Sequence, residues 1–323
     1  MTALLILAIT AAAIAITIHI RRRRKKLRNR KIRRYRDIWT IGIYSGPTPF
    51  KLAPPQGIKN PILAPEQVTD IKARFVADPF MFTHKGVHYL FLEVLNDERN
   101  KGEIGYATST DLKQWTYKGI VLKERFHLSY PYVFEYNGEQ YMLPEGAKSR
   151  KVTLYKAERF PDIWKKHATL LGSFSRKGPL GDPSIILHNS HWYLFTYAGK
   201  TRSLHLYTSP ELTGSWSEHP ASPILTDDIS FARPGGRVLA YKGNIYRYAQ
   251  DGKGGYGKRV WAFRITTLTP TEYREELLEG GPVIEGGHEQ WSNAGMHTVD
   301  PHLMPGGTWL AFVDGLENRE KTA

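Results

Sequence analysis

Residues 75–93, FVADPFMFTHKGVHYLFLE, form two apolar runs separated by a short polar turn. The second run is almost continuously apolar and aromatic, and the stretch reads as a strand, a turn and a strand. The same cadence returns at LSYPYVFEYNGEQYMLPE and at LGDPSIILHNSHWYLFTY. Aligned on the proline, five starts appear: Asp78-Pro79, Tyr130-Pro131, Asp182-Pro183, Arg233-Pro234 and Asp300-Pro301, spaced by 52, 52, 51 and 67 residues. In four units a third strand follows the aromatic second strand, namely EIGYAT, VTLYKA, LHLYTS and RVWAFR. Tyr106 and Trp115, Tyr155 and Trp164, and Tyr207 and Trp216 repeat one nine-residue offset, with Tyr273 in the tryptophan's place in unit four. These tryptophans are expected to pack between repeats. A unit of about 50 residues with four short antiparallel strands is a propeller blade.

Five such units predict an all-β fold, a five-bladed β-propeller. The fifth unit runs out of chain after GTWLAFVDG, and residues 38–63 read as the tail of a blade. The N-terminal strands are therefore expected to close the ring, which hides edges of blade five that would otherwise template aggregation. The domain plan is a transmembrane helix at 1–20, a polybasic juxtamembrane linker at 21–37 and the propeller at 38–323.

Charge alters this picture only at the N-terminus. The chain of 323 residues carries a formal charge of +14, but residues 21–34, RRRRKKLRNRKIRR, hold 11 basic and no acidic residues, leaving +3 for the rest. The globular part needs no anionic partner, and nucleic-acid binding is not expected. Residues 2–20 are apolar, and at 1.5 Å per residue they span about 28 Å, close to a bilayer's hydrocarbon core. The basic run follows the apolar stretch, the reverse of a cleaved signal peptide. By the positive-inside rule the propeller is expected on the cytoplasmic side of a single-pass anchor, with the basic run against anionic headgroups. There is no cysteine, which excludes disulfides and thiolate chemistry.

In a propeller the starts of the inner strands converge on one funnel. Asp78, Asp182 and Asp300 precede the aligned prolines, while Glu93, Glu145 and Asp314 end second strands. Carboxylates held close push one pKa up, which is how a general acid is made, and glycoside hydrolysis uses such a pair. The competing reading is that each aspartate accepts turn N–H groups at a strand start; it suits one Asp-Pro better than three. Arg233 and Arg237 suit a carboxylate or phosphate group, and a salt bridge from Arg233 to a rim aspartate is the alternative. His297 and His302 flank Asp300, as ligands for a sugar hydroxyl or as structural groups. Trp291 could face a ligand or the core. The glycine-rich DGKGGYGK, residues 251–258, reads as a flexible hairpin over the funnel.

The motifs ADPFMF and GDPSII resemble those of the family 43 glycoside hydrolases, the arabinanase, xylosidase and invertase group. ADPFMF…YLFLE, LPEG and GMHTVDPH are similar to the N-terminal propeller of plant glucosamine inositolphosphorylceramide transferases and their bacterial relatives. The resemblance covers roughly residues 38–316. It implies Asp78 as catalytic base and Asp182 as the aspartate that tunes and orients the acid. The family's general-acid Glu starts the fourth blade, where this chain reads FARPGG; arginine cannot donate a proton at neutral pH. Glu145 is the replacement acid to test. Glu93, Arg233, Arg237, His297, Asp300 and Asp314 complete the expected ligand contacts. No metal or cofactor is expected, with a funnel cation such as calcium left open. The resemblance implies a glycosyltransferase partner, because the plant propeller precedes such a domain and none is expected within these residues. Two readings follow: a membrane-anchored, glycoside hydrolase-like propeller acting on or recognising a glycan, glycolipid or sugar phosphate, and a non-catalytic glycan-binding module assisting a separate glycosyltransferase.

Overall fold

The structure, a computed structural model, describes residues 35–172, 178–287 and 289–320, together with Thr17 and Arg21. It is a five-bladed β-propeller of antiparallel sheets. From the axis outward, blade one runs Ala73–His84, Val87–Asn96, Lys101–Ser109 and Thr116–Leu122. Blade two runs Ser129–Tyr136, Glu139–Glu145, Lys151–Arg159 and Ile163–Gly172, and blade three Leu180–His188, His191–Ala198, Ser203–Ser209 and Ser217–Glu218. Blade four is less regular. Its inner strand is split into Arg233–Pro234 and Leu239–Tyr241, both paired with Asn244–Asp251, and Arg259–Leu268 and Tyr273–Leu277 lie outside these. Blade five takes its inner strands from the C-terminal part, Val299–Leu303 and Trp309–Glu320, and its outer strands from the N-terminal part, Tyr35–Thr48 and Lys51–Ala53. Asn60 extends this edge: its amide accepts from Ile43 N–H and donates to Ile43 C=O, both at 2.9 Å, and Ile41 bridges Leu63 beyond it.

The sequence periodicity follows from burial on two faces. Along the second strand of blade one, Leu90, Leu92 and Val94 pack toward blade five, whereas Phe91 packs toward blade two. Among the described residues six apolar clusters result: a small one gathers Trp39, Ala77, Ala294 and Leu316, and the other five lie one at each blade junction. The repeated tryptophans sit there. Trp115 meets Phe312 of blade five edge-on at 5.3 Å, and Trp164 meets Phe91 of blade one at 5.6 Å. Trp216 packs on the cluster between blades two and three. Tyr273, in the tryptophan's place, meets Phe195 of blade three at 5.9 Å. Trp291 belongs to the core beside Tyr44 and does not face the funnel.

Trp39–Glu317 forms one unit, and Met1–Ile38 with Asn318–Ala323 a second. Apart from Thr17 and Arg21, the apolar segment 1–20 and the basic run 21–34 lie outside the described residues. Among the described residues no helix is long and apolar enough to cross a membrane.

Candidate functional site

Blades one to three share a bulge at the start of the inner strand. The register slips between Ala77 and Phe80, between Ser129 and Tyr132, and between Gly181 and Ser184. The residue at each slip, Asp78, Tyr130 or Asp182, has a positive φ, of 51°, 49° and 47° respectively. Left-handed backbone at a non-glycine residue is strained, and bulges of this kind re-aim a side chain. Here they aim Asp78 and Asp182 at the funnel, whereas the Tyr130 ring packs on Phe80 in the core with its hydroxyl against Ser184 and Gly236. Just before each slip, and at the start of blade four, the inner strand faces the end of the second strand: Ala77 opposite Glu93, Ser129 opposite Glu145, Gly181 opposite Tyr197, Arg233 opposite Gln250. Asp314, one residue past the Val299–Val313 pair, completes this ring of five in blade five. Tyr197 and Gln250 were not singled out from sequence, although they end SHWYLFTY and GNIYRYAQ in the same register as the two glutamates.

The ring binds neighbouring blades together. Asp314 accepts N–H groups from His297 (2.9 Å), Thr298 (3.0 Å) and Asp78 (3.1 Å), and His297 Nδ1 lies 2.6 Å from its Oδ2. Asp78 accepts from the Thr298 hydroxyl at 2.7 Å and from Tyr130 N–H at 3.2 Å. Glu145 accepts Asp182 N–H at 3.0 Å. That approach needs Gly181, because a Cβ there would sit 2.8 Å from Glu145 Oε2. Asp182 is held by both Nε and Nη2 of Arg233, and by Gln250 Nε2 at 3.1 Å. Arg233 also lies 3.8 Å from Glu145, under the Tyr256 ring at 5.2 Å. Tyr256 lies on the glycine-rich hairpin and is 53% exposed, so the hairpin does cover part of the funnel. Trp39 stacks on His297 at 4.1 Å. His127 Nε2 lies 3.1 Å from Glu93 Oε1.

Two predicted contacts lie elsewhere. The Asp300-Pro301 pair lacks the bulge. Asp300 pairs with Phe312 two positions below Asp314, the level of Phe80 opposite Phe91 in blade one. By this register it is not a rim aspartate, and it accepts from Arg237 Nε (2.6 Å), Met81 N–H (2.6 Å) and His302 Nε2 (2.7 Å). Arg237 donates in addition to Val133 C=O at 2.9 Å and Met81 C=O at 3.3 Å, and it stacks on Tyr132 at 4.9 Å. Arg237 is thus spent joining blades four, five, one and two, and is not free to hold an anion.

The electrostatics separate the carboxylates. Burial raises Glu145, and the neighbouring Asp182 raises it further, so Glu145 sits well above the usual range. Burial also opposes ionisation of Asp182, but Arg233 overcomes this and holds Asp182 below the usual range. Asp78 is pushed up to about 7 by burial, reinforced by Glu93, Asp314 and Asp182 and opposed by His297. Burial disfavours the charged His297 ring, yet Asp314 and Asp78 together raise it. Asp300 is brought down to about 2 because Arg237 and His302 outweigh its burial.

Asp78, His297 and Asp314 are buried, and one ligand atom from each lies within 4.8 Å of the others. One imidazole with two carboxylates suits a transition-metal ion better than calcium, which prefers an all-oxygen cage.

Residues 35–316 match the family model described as glucosamine inositolphosphorylceramide transferase 1, N-terminal. The glucosamine inositolphosphorylceramide transferase 1 of Oryza sativa subsp. japonica is 35% identical over 300 residues, covering 86% of this chain and 40% of that protein. That of Arabidopsis thaliana is 33% identical over 300 residues, covering 86% and 39%. The chain thus spans about two fifths of the length of these relatives. Among solved structures, a glycosyl hydrolase from Bacteroides ovatus is similar with a TM-score of 0.60 over 87% of this chain and 96% of that one, at 13% identity. A thermostable family-43 glycoside hydrolase gives 0.54 over 82% and 93%, at 16% identity. At these identities the likeness is one of fold. With its glycoside hydrolase-like five-bladed propeller and its match from residue 35 to residue 316, the chain belongs to the family of glucosamine inositolphosphorylceramide transferase N-terminal domains.

Proposed function

We propose that the propeller is a saccharide-recognition module whose funnel binds a glycan or glycolipid headgroup without cleaving it, held at a membrane by residues 1–20 and serving a separate glycosyltransferase. The observation that carries this is Arg233. It stands at the start of blade four, grips Asp182 and approaches Glu145. The acid's place is thus filled by a group that cannot donate a proton, and the tuning aspartate is already neutralised. Asp78 spends both oxygens on Thr298 and Tyr130. A funnel so fully bonded is preorganised for binding. Tyr197 and Tyr256 flank Arg233 and offer ring faces to a sugar. The family relation, to a transferase named for glucosamine and inositolphosphorylceramide, supports a carbohydrate ligand.

The test is calorimetric titration of neutral sugars, amino sugars, sugar phosphates and glycolipid headgroups into the full chain. We expect at least one to bind, and Arg233→Lys, which keeps the charge but loses the two-pronged grip, to weaken it about tenfold. Failure of every saccharide to bind would remove this reading.

One observation favours hydrolysis instead. Burial and the neighbouring Asp182 raise Glu145 well above the usual carboxylate range, Arg233 holds Asp182 below it, and burial pushes Asp78 up to about 7. On that reading Glu145 protonates the leaving oxygen and Asp78 activates water. Release of sugar by the wild-type chain, abolished by Asp78→Asn, would establish it.

A further inference from the structure

Blade one carries a second cavity at the same end as the funnel. Its second strand passes Glu93 and ends at Asn96, three residues farther along, so about 10 Å from the ring. There the segment before the inner strand, the turn after Asn96 and the end of the outer strand enclose about 530 Å³. That volume suits a small ligand. The walls are fixed before anything binds. Asp70 accepts from Tyr117 Oη at 2.9 Å and Ile120 N–H at 2.8 Å, tying the first wall to the third. Asn96 Oδ1 accepts Glu98 and Arg99 N–H, each at 3.1 Å, and Arg74 clamps the same turn through Asp97 at 2.6 Å and Asn100 at 3.0 Å.

Glu103 lines this cavity. It pairs with Val94 on the second strand, next to the Glu93–Ile104 pair. Its side chain is 2% exposed, and Oε1 makes no hydrogen bond. The nearby cations, Arg99 at 3.5 Å and Lys101 at 3.6 Å, balance its charge without closing a bond, and Lys101 already donates to Glu124 C=O. A buried carboxylate oxygen without a hydrogen-bond donor is costly, so Oε1 has acceptor capacity left for a ligand's donor. Lys72 and Lys123, both exposed on the rim, add donors. Acceptor on the floor and donors on the rim match a polyol. A phosphate or carboxylate would meet Glu103 and Glu98, and a lipid chain would find only Ile71 and Ile120 as apolar wall.

We infer that this cleft is a distal saccharide subsite, which takes a second sugar of an oligosaccharide whose first sugar occupies the funnel. This rests on the saccharide-recognition reading and extends it: the ligand is an oligosaccharide, not a single sugar.

The test uses the full-length chain in detergent, with glucose, mannose, arabinose and glucosamine and their linear tetrasaccharides. Amide exchange reads the sites separately. Peptides containing Tyr130 and Asp182 report the funnel, and those containing Arg99 and Ile120 report the cleft. Monosaccharides should protect the funnel alone, and a tetrasaccharide both regions, with at least tenfold tighter binding. Ile120→Trp, which fills the cleft, should bring tetrasaccharide affinity down to that of the monosaccharide, and Glu103→Gln should weaken it several-fold. Protection of the funnel alone by every tetrasaccharide, or unchanged affinity in Ile120→Trp, would overturn the subsite and leave the funnel reading intact. Protection of neither region would overturn both.

Discussion

At the scale of single residues, the structure divides the predicted polar cluster into a rim and a buried clamp. Asp300 and Arg237 belong to the clamp. Removing one partner of such a pair leaves a buried charge uncompensated, at about 3–5 kcal/mol. Arg237→Ala should therefore lower stability by about that amount in urea titration, and folded protein should keep its saccharide affinity within a few-fold. Acid should act similarly. Asp300 falls from an ordinary 3.8 to about 2 in the fold, so its stabilisation is complete above about pH 4 and is lost as pH drops toward 2. Asp78 has the opposite sign. Its folded pKa of about 7 exceeds the ordinary 3.8, so the fold loses stability as pH rises from about 4 to 7. Asp78→Asn should flatten this decline in melting temperature between pH 5 and 7; an unchanged slope would contradict the assignment. Proline alignment could place Asp78 and Asp182 at one level. It could not show that Asp300 lacks the bulge, because the bulge is a left-handed backbone turn that the Asp-Pro dipeptide does not encode.

At the scale of elements, spacing and period carried the reading far. Strand count and the junction aromatics were both legible, because each follows from local turn signals or from two-faced burial. The cross-blade hydrogen bonds were not, because residues about 50 apart converge only after closure. Gly236 illustrates this. It bridges Val299 between blades four and five at a φ of +149°, and a Cβ there would lie 1.9 Å from Val299 C=O. FARPGG gives no hint of such contact. Gly236→Ala should force the inner strands apart and prevent stable folding. Gly138→Ala is the control. Its φ is +76° with nothing within 4 Å of the added Cβ, so only left-handed strain of about 1–2 kcal/mol applies. Equal melting temperatures for the two variants would contradict this account of closure.

At the scale of the whole molecule, the ring is closed by residues far apart in the chain. Deleting residues 39–63 removes most of the strand beside Trp309–Glu320 and four buried residues, Ile41, Ile43, Ile62 and Leu63, of the cluster between blades five and one. The remainder should fail to melt cooperatively, and a truncated chain that melts like the parent would refute this. The proposed anchor makes a separate demand: a reporter fused after Ala323 should be active on the cytoplasmic side, and activity only on the outer face would refute that orientation. The central claim is that the funnel holds a saccharide without cleaving it. Proton NMR of tetrasaccharides mixed with the full-length chain tests binding and chemistry in one tube. The account predicts saturation transfer from protein to sugar with glycosidic anomeric signals unchanged over days. Decay of those signals into free reducing sugar, abolished by Asp78→Asn, would contradict it.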